Sequence, residues 1–351
     1  MTNQPIEEKV EELSLPKKEK KSKKILIIIL CVVLGLAIVL TSAYFILLSL
    51  GKDKLVDNTG VKVEQNEEFI VNEDMVTYKG ENYKVNPNIT SILVMGVDKE
   101  NVNEQSSFGH NGQADTIFLV SLDTKTKAVK IVPISRETMV DFDRFSVDGQ
   151  YAGIKNGQIC LSYAYGNDAK SGSENVKSAV SRLLCGVNIN SFVTVDLRVI
   201  WALTEAVGGV EVTSLETVEP FVKGEKVMLK GRQAVWYVQR RGTDVDANNR
   251  RQARQKQFLK AFASKAGNKI VSDFTKLIKY YNTAKPYFTS DLDLSEITYL
   301  AKTCLSKDIG EKLEYVTISG ETKMGEKYVE FYPEENSVYE AVLNAFYEKI
   351  D

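Results

Sequence analysis

The hydrophobic positions of this chain fall into three regimes. Between Ile25 and Leu50 they are continuous, with 26 residues lacking any charge, whereas a spanning helix needs about 20. That length predicts a transmembrane helix, because a cleaved secretory signal has a shorter apolar core of about 7–15 residues and a small-residue cleavage site. Lys52 to about Pro87 is polar, rich in Asn, Glu and Lys, and reads as a stalk or small accessory segment with room for a hairpin. From Ser91 the texture changes. The runs Ile92–Val97, Thr116–Leu122 and Val129–Ile134 are too short for helices, are rich in β-branched residues, and predict buried strands. Asp123–Lys127 is a polar turn of hairpin length, so the last two strands should be antiparallel neighbours.

Helical spacing follows at Ser173–Leu184 and Val199–Val207 around a strand at Phe192–Asp196. It returns at Ser295–Leu305 and Ser337–Lys349, with a short strand at Tyr315–Ile318. The expected fold class is α/β, a mixed sheet flanked by helices and preceded by one transmembrane helix. The segments are 1–24 as a cytoplasmic basic tail, 25–50 as the anchor, 51–88 as the stalk or accessory segment, and 89–351 as one catalytic-size domain.

Charge orients this arrangement. Pro16–Lys24 holds six Lys and one Glu, a flank that the positive-inside rule places in the cytoplasm. Everything after Gly51 is then extracytoplasmic, away from nucleotide pools and the chromosome. Over the whole chain 45 Lys+Arg stand against 47 Asp+Glu, so no global charge draws it to nucleic acid. The four Cys have no metal-binding spacing, and the single His, His110, sits in the polar stretch Ser106–Gly112 and reads as a solvated loop residue. Zinc and a Ser-His-Asp hydrolase are disfavoured on that ground. Cys160 and Cys185 stay open between a disulfide and two buried thiols.

Candidate chemistry lies at strand ends and in one Arg-rich segment. Asp98 closes one predicted strand and Asp115 opens the next. Each alone is an ordinary turn carboxylate, but two flanking one loop suit a hard cation such as Mg²⁺. Six of the ten Arg fall between Arg232 and Arg254. Arg presents a planar fork that holds phosphate or carboxylate bidentately, which points to an anion that must be oriented. A helix through Phe258 and Phe262 puts Arg251 and Gln255 one turn apart on one face; a solvated basic helix packing on Phe258, Leu259 and Phe262 is the open alternative. If the chain before it ends as a strand, Gln239 and Arg241 share a face and Arg240 points away.

Taken in order, these segments resemble the LytR-CpsA-Psr family of membrane-anchored envelope enzymes of Gram-positive bacteria. The matching pieces are Gly96-Val97-Asp98, Ala114-Asp115-Thr116-Ile117, Arg136-Glu137-Thr138, Leu161–Gly166, Gly208-Gly209-Val210, Gly231–Tyr237, Arg241, and Arg251–Gln255. Two positions depart: Gln239 stands where the family usually carries the first Arg of Arg-x-Arg, and Asn248, with Asp246 nearby, stands where it commonly carries an Asp three before the helix Arg. The resemblance implies a phosphotransferase that moves a glycopolymer from a polyprenyl-pyrophosphate carrier onto a peptidoglycan hydroxyl. In that reading Asp98, Asp115, Arg136 and Arg241 are catalytic, and Asp98 and Asp115 hold Mg²⁺. Arg136, Gln239, Arg241, Arg251 and Gln255 bind the pyrophosphate. The lipid would lie between sheet and helices, with Phe192–Val195 and Val199–Val207 as walls. A non-catalytic polyprenyl-phosphate or wall-polymer binding protein is the competing class, and Gln239 is its best argument.

Overall fold

The computed structural model describes residues 49–52, 55, 69–72, 75–240 and 247–350. The Lys-rich flank, all but the last two residues of the predicted membrane helix, and Arg241 lie outside these. Among the described residues no helix is long and apolar enough to cross a membrane.

Three short strands come first, β1 (Phe69–Asn72), β2 (Met75–Tyr78) and β3 (Glu81–Val85). They are followed by β4 (Ile89–Val97), β5 (Ala114–Asp123) and β6 (Val129–Ile134), the three strands expected from the apolar runs. A hairpin, β7 (Met139–Phe145) and β8 (Tyr151–Gln158), leads through a 3-10 turn at Ile159–Tyr165 into α1 (Ala169–Leu183). Asp168 starts α1 by a capping box with Ser171, which satisfies amides that would otherwise lack acceptors. Next come β9 (Ser191–Val195), α2 (Arg198–Ala206), the pair β10 (Val210–Thr213) and β11 (Lys226–Leu229), α3 (Arg232–Gln239), α4 (Ala247–Ser272) and α5 (Thr275–Ala284). The chain closes with β12 (Phe288–Ser290), α6 (Leu294–Cys304), β13 (Leu313–Tyr315), the hairpin β14 (Gly320–Met324) and β15 (Val329–Pro333), α7 (Glu335–Phe346) and β16 (Tyr347–Ile350).

The central sheet has six strands in the order β12-β9-β4-β5-β6-β13. It is mixed: β4 pairs antiparallel with β5 and parallel with β9, and β6 pairs antiparallel with β5 and parallel with β13. Alternation along the strands sorts side chains to two faces. Leu93, Met95, Ile117, Leu119, Val132 and Ile134 pack with Val176 and Val180 of α1 and Val342 and Phe346 of α7. Their neighbours face the other way. Ile92 and Val94 meet Leu292 and Leu300, while Phe118, Val120 and Ile131 meet Leu259 and Ala263. Both sheet faces are therefore covered, as strands buried on two sides require. A separate core under β10 and β11 joins α2, α3, α4 and α5 through Val207, Leu229, Tyr237, Phe258 and Leu277.

The room for a hairpin in the polar segment before Ser91 is taken by β1, β2 and β3, a sheet closed by β16, and Val76 and Tyr78 enter the main core. One expectation changes. The end helix stops at Phe346, where Tyr347 turns extended and pairs with Val85. Periodicity over Ser337–Lys349 is silent on this, because the partner strand lies far away in sequence.

Candidate functional site

Antiparallel pairing sets the end of β4 beside the start of β5. Gly96 pairs with Thr116 and Val97 with Ala114, so Asp115 is the extra residue of a bulge. Bulges re-aim a side chain at the edge of a regular ladder. The approach is close, since a Cβ on Gly96 would stand 3.3 Å from the Thr116 Cβ. Asp98 follows β4, is exposed, and donates its backbone N–H to the facing Gln113 carbonyl at 3.3 Å. The β5 and β6 register, with Ile117 opposite Ile134, extends two residues to set Arg136 opposite Asp115.

The two form an ion pair, and Arg136 Nη2 also donates to the Gln113 side-chain oxygen at 2.7 Å. Burial raises the Asp115 carboxyl above its ordinary range; Asp98 adds to this, while Arg136 and Arg251 oppose it. Asp115 thus feels the charges of Asp98, Arg136 and Arg251, which come from separate segments of the chain. Arg251 is half-buried in the second turn of α4. Cys160 sits beneath Arg136, 3.9 Å from the Gln113 oxygen, and burial pushes its thiol up to about 11. A thiol so hard to ionise is no nucleophile at neutral pH. It forms no disulfide with Cys185.

The arginines of the 232–254 segment divide by role. Arg254 is fully buried, with Nε 2.8 Å from Glu216 and its other nitrogens donating to the carbonyls of Tyr237 and Arg240. Arg250 takes the second Glu216 oxygen at 2.7 Å. Gln255 donates to the Val238 carbonyl at 3.0 Å, so its amide ties α4 to the end of α3. Gln239 is exposed as the last helical residue. The strand expected at Gln239 is absent, because 232–239 is helix and, of the described residues that follow, only Arg240, its cap, is extended; Arg241, its expected partner on one face, lies outside the described residues. Arg240 is turned onto the Trp236 ring and bonds the Glu219 carbonyl at 2.8 Å.

Gln113 and Glu216 escape sequence reasoning, since a lone Gln and a lone Glu carry no signal without knowing what faces them. Lys99 is another such residue. It donates to the Glu104 carbonyl at 2.6 Å, Ser106 at 3.1 Å and Asn111 at 2.9 Å, tying down the loop that joins Asp98 to Asp115. His110 is exposed in that loop, as its polar setting predicts.

Among the described residues no group of three or more His, Cys, Asp and Glu is placed to hold a metal. Two carboxylates still suit Mg²⁺, which commonly binds one or two and completes its shell with water and phosphate oxygens. The repulsion of Asp98 on Asp115 is what a divalent cation would relieve. Of the expected lipid walls, Phe192 is fully buried in the main core, while Ile200, Leu203 and Ala206 are half-buried against the second core. A cavity of about 300 Å³ lined by Asn86, Asp123 and Tyr347 lies at the opposite end of β4 and β5 and contains none of the site residues.

The chain is similar to known proteins in both sequence and fold. It is 28% identical over 232 residues to the polyisoprenyl-teichoic acid–peptidoglycan teichoic acid transferase TagU of Bacillus licheniformis, covering 64% of this chain and 68% of that protein. It is 24% identical over 272 residues to the corresponding transferase TagV of Bacillus subtilis, covering 74% of this chain and 64% of that one. The crystal structure of B. subtilis TagV shares the fold, with a TM-score of 0.59 at 23% identity over 74% of this chain and 96% of that chain. The LytR_cpsA_psr family profile matches residues 48–345, a span that takes in every strand of the central sheet and both carboxylates, and the chain belongs to that family.

Proposed function

We propose that this chain is a membrane-anchored phosphotransferase of cell-wall assembly, moving a glycopolymer from a polyprenyl-pyrophosphate carrier to a peptidoglycan hydroxyl. The observation that carries the reading is the convergence of two carboxylates and two arginines, Asp98, Asp115, Arg136 and Arg251, around the bulge of β5. A pyrophosphate donor brings the negative charge that paired Arg forks orient. Relatives named as transferases of polyisoprenyl-linked teichoic acid support the substrate class.

In this mechanism the acceptor hydroxyl oxygen attacks the phosphorus that bears the glycopolymer. A new P–O bond forms, the bond to the bridging oxygen breaks, and polyprenyl phosphate leaves with the electron pair. The hydroxyl proton passes to a carboxylate of the pair, Asp98 or Asp115. Arg136 and Arg251, with Arg241 from the neighbouring segment, hold the phosphate oxygens as charge shifts toward the leaving group. Gln113 keeps the Arg136 fork in plane by accepting from Nη2. Asp98 and Asp115 would hold Mg²⁺, which supplies neutralisation of phosphate charge. Position and fixed charge carry most phosphoryl transfer, so a buried, protonated Cys160 is compatible with the site.

The test is reconstitution of the full chain in micelles with a polyprenyl-pyrophosphate-linked disaccharide and a peptidoglycan acceptor, with and without Mg²⁺. Release of polyprenyl phosphate that requires Mg²⁺ is expected. Retention of the lipid with no turnover would replace the transferase reading by a binding protein.

A further inference from the structure

Both tryptophans of the chain, Trp201 and Trp236, stand in one surface row with two arginines. Arg232, Trp236 and Arg240 follow one another at i, i+4 spacing along α3 and its cap, so they share a face. The Arg232 guanidinium lies 5.7 Å from the Trp201 ring centre and 5.9 Å from that of Trp236, and the Arg240 guanidinium lies 4.8 Å from Trp236. Ring and cation thus alternate in the order Trp201, Arg232, Trp236, Arg240. Trp201 comes from α2 and reaches the row across Gly231. That residue has φ +49°, and a Cβ there would come within 3.1 Å of the Trp201 Nε1 and 2.8 Å of Glu205.

The row faces solvent. Trp201 is 46% exposed, Arg232 and Arg240 are exposed, and Trp236 is half-buried. Among the described residues no carboxylate forms a salt bridge with Arg232 or Arg240; Glu205 pairs instead with Lys230 at 3.9 Å. A guanidinium stacked on an indole keeps in-plane N–H groups for an anion; Arg240 gives one, on Nη1, to the Glu219 carbonyl and keeps the others. The indole face, which is electron-rich, accepts the C–H face of a sugar ring.

We infer that this row binds an anionic glycan in which sugars alternate with phosphates, namely the polymer beyond its pyrophosphate end. This rests on the transferase reading of the site. Alternating rings and cations match alternating sugars and phosphates. From Arg232 to Arg240 the row extends about 12 Å at the helical rise of about 1.5 Å per residue, so it contacts a short stretch of polymer rather than one sugar. It also leads away from the site. Its Arg240 end is fixed by the bond from Arg254 to the Arg240 carbonyl, and Arg254 lies one turn along α4 from Arg251, whose charge acts on Asp115. A membrane surface also takes Trp and Arg, but it would be met by an apolar patch, whereas here each ring is flanked by a cation.

Because the two tryptophans are both in the row, intrinsic tryptophan emission of the full chain in micelles reports on it directly. The probe is a synthetic tetramer of N-acetylglucosamine joined through phosphodiesters. Controls are chitotetraose, which lacks charge, poly(glycerol phosphate), which lacks rings, and phosphatidylglycerol mixed into the micelles. The tetramer should change the emission. Its affinity should fall about five- to tenfold in Arg232→Gln, which keeps both rings for the emission readout, and similarly in Trp201→Ala, where Trp236 still reports. Trp236→Phe, which keeps a ring, should lose less. Unchanged affinity in both surface variants would overturn the inference, as would equal binding of either soluble control, or an emission change on adding phosphatidylglycerol that matches the tetramer's. In turnover, Arg232→Gln should raise the KM for a polymeric donor and leave a donor carrying a single sugar unaffected. If the wild-type chain turns over neither donor, the transferase reading fails, while the tetramer titration still decides the row.

Discussion

Replacing Arg254 by Met should destabilise the fold more than any other change among the clustered arginines. Its side chain is 0% exposed, and it joins three elements: Glu216 beyond β10, and the carbonyls of Tyr237 and Arg240 at the end of α3. Met fills the volume but supplies no donor. Glu216 keeps Arg250 at 2.7 Å, so its charge is not stranded, but the two carbonyls lose a charged donor inside the protein. Leaving a buried acceptor unmet costs about 1–3 kcal/mol each, and breaking a buried ion pair about 3–5 kcal/mol. These overlap, so the expected loss is about 3–5 kcal/mol in total, roughly 10 °C in Tm for a domain of this size. Urea unfolding of the full chain in micelles measures it, through a fall in midpoint at constant slope. Arg254→Lys should recover only part, since one ammonium cannot reach all three acceptors. In a double-mutant cycle, Glu216→Gln should cost less in the Arg254→Met background than in the wild type. A loss below about 1 kcal/mol for Arg254→Met would refute the reasoning, and the polar contacts at the α3 end would then be satisfied by water.

Further outcomes follow from the site and its surroundings. Arg136→Lys should lower polyprenyl phosphate release by about 10²-fold, because a point charge cannot hold Asp115 and Gln113 at once; activity within about twofold of wild type would remove Arg136 from the site. Gln239→Arg should raise donor affinity or turnover, since a charge-assisted bond to phosphate is roughly twice as strong as a neutral one; no change in either would end the idea of a weakened clamp. Burial alone would raise the Asp123 carboxyl, but bonds from the Thr126 and Lys125 amides and from Asn86 hold it below the usual carboxylate range. Its stabilisation is therefore complete above the unfolded value of about 4 and lost as pH falls through the lower folded value. Asp123→Ala should cost about 1–2 kcal/mol near neutral pH and progressively less in acid, and a gap that stays constant with pH would contradict this. Protease added to intact protoplasts should digest the 75–350 domain, and its survival alongside a cytoplasmic control would reverse the assigned orientation.

Much of the layering was legible in the sequence. The strands β4, β5 and β6 and the hairpin between the last two follow from short β-branched runs and a polar turn, because burial on both faces demands continuous apolar stretches. Helices α1, α2 and α6 follow from 3.6-residue spacing to within a few residues. Asp98 and Asp115 announce themselves as strand-end carboxylates, and the scarcity of Arg elsewhere marks the 232–254 segment. These are local signals, and local signals survive in one dimension.

What only the tertiary structure decided is which neighbour each side chain meets. The β5 bulge that turns Asp115 toward Arg136 depends on the register with β4, a relation between two strands that no single stretch encodes. Of the arginines, Arg250 and Arg254 close on Glu216, Arg232 and Arg240 stack on indoles, and Arg251 acts on Asp115, although in sequence they look alike. The same holds for β16, which ends a helical pattern early to complete a sheet begun near residue 69. An arginine's role is set by the acid, carbonyl or ring that the fold brings to it, because hydrogen bonds and ion pairs act over a few ångströms of space and are indifferent to distance along the chain.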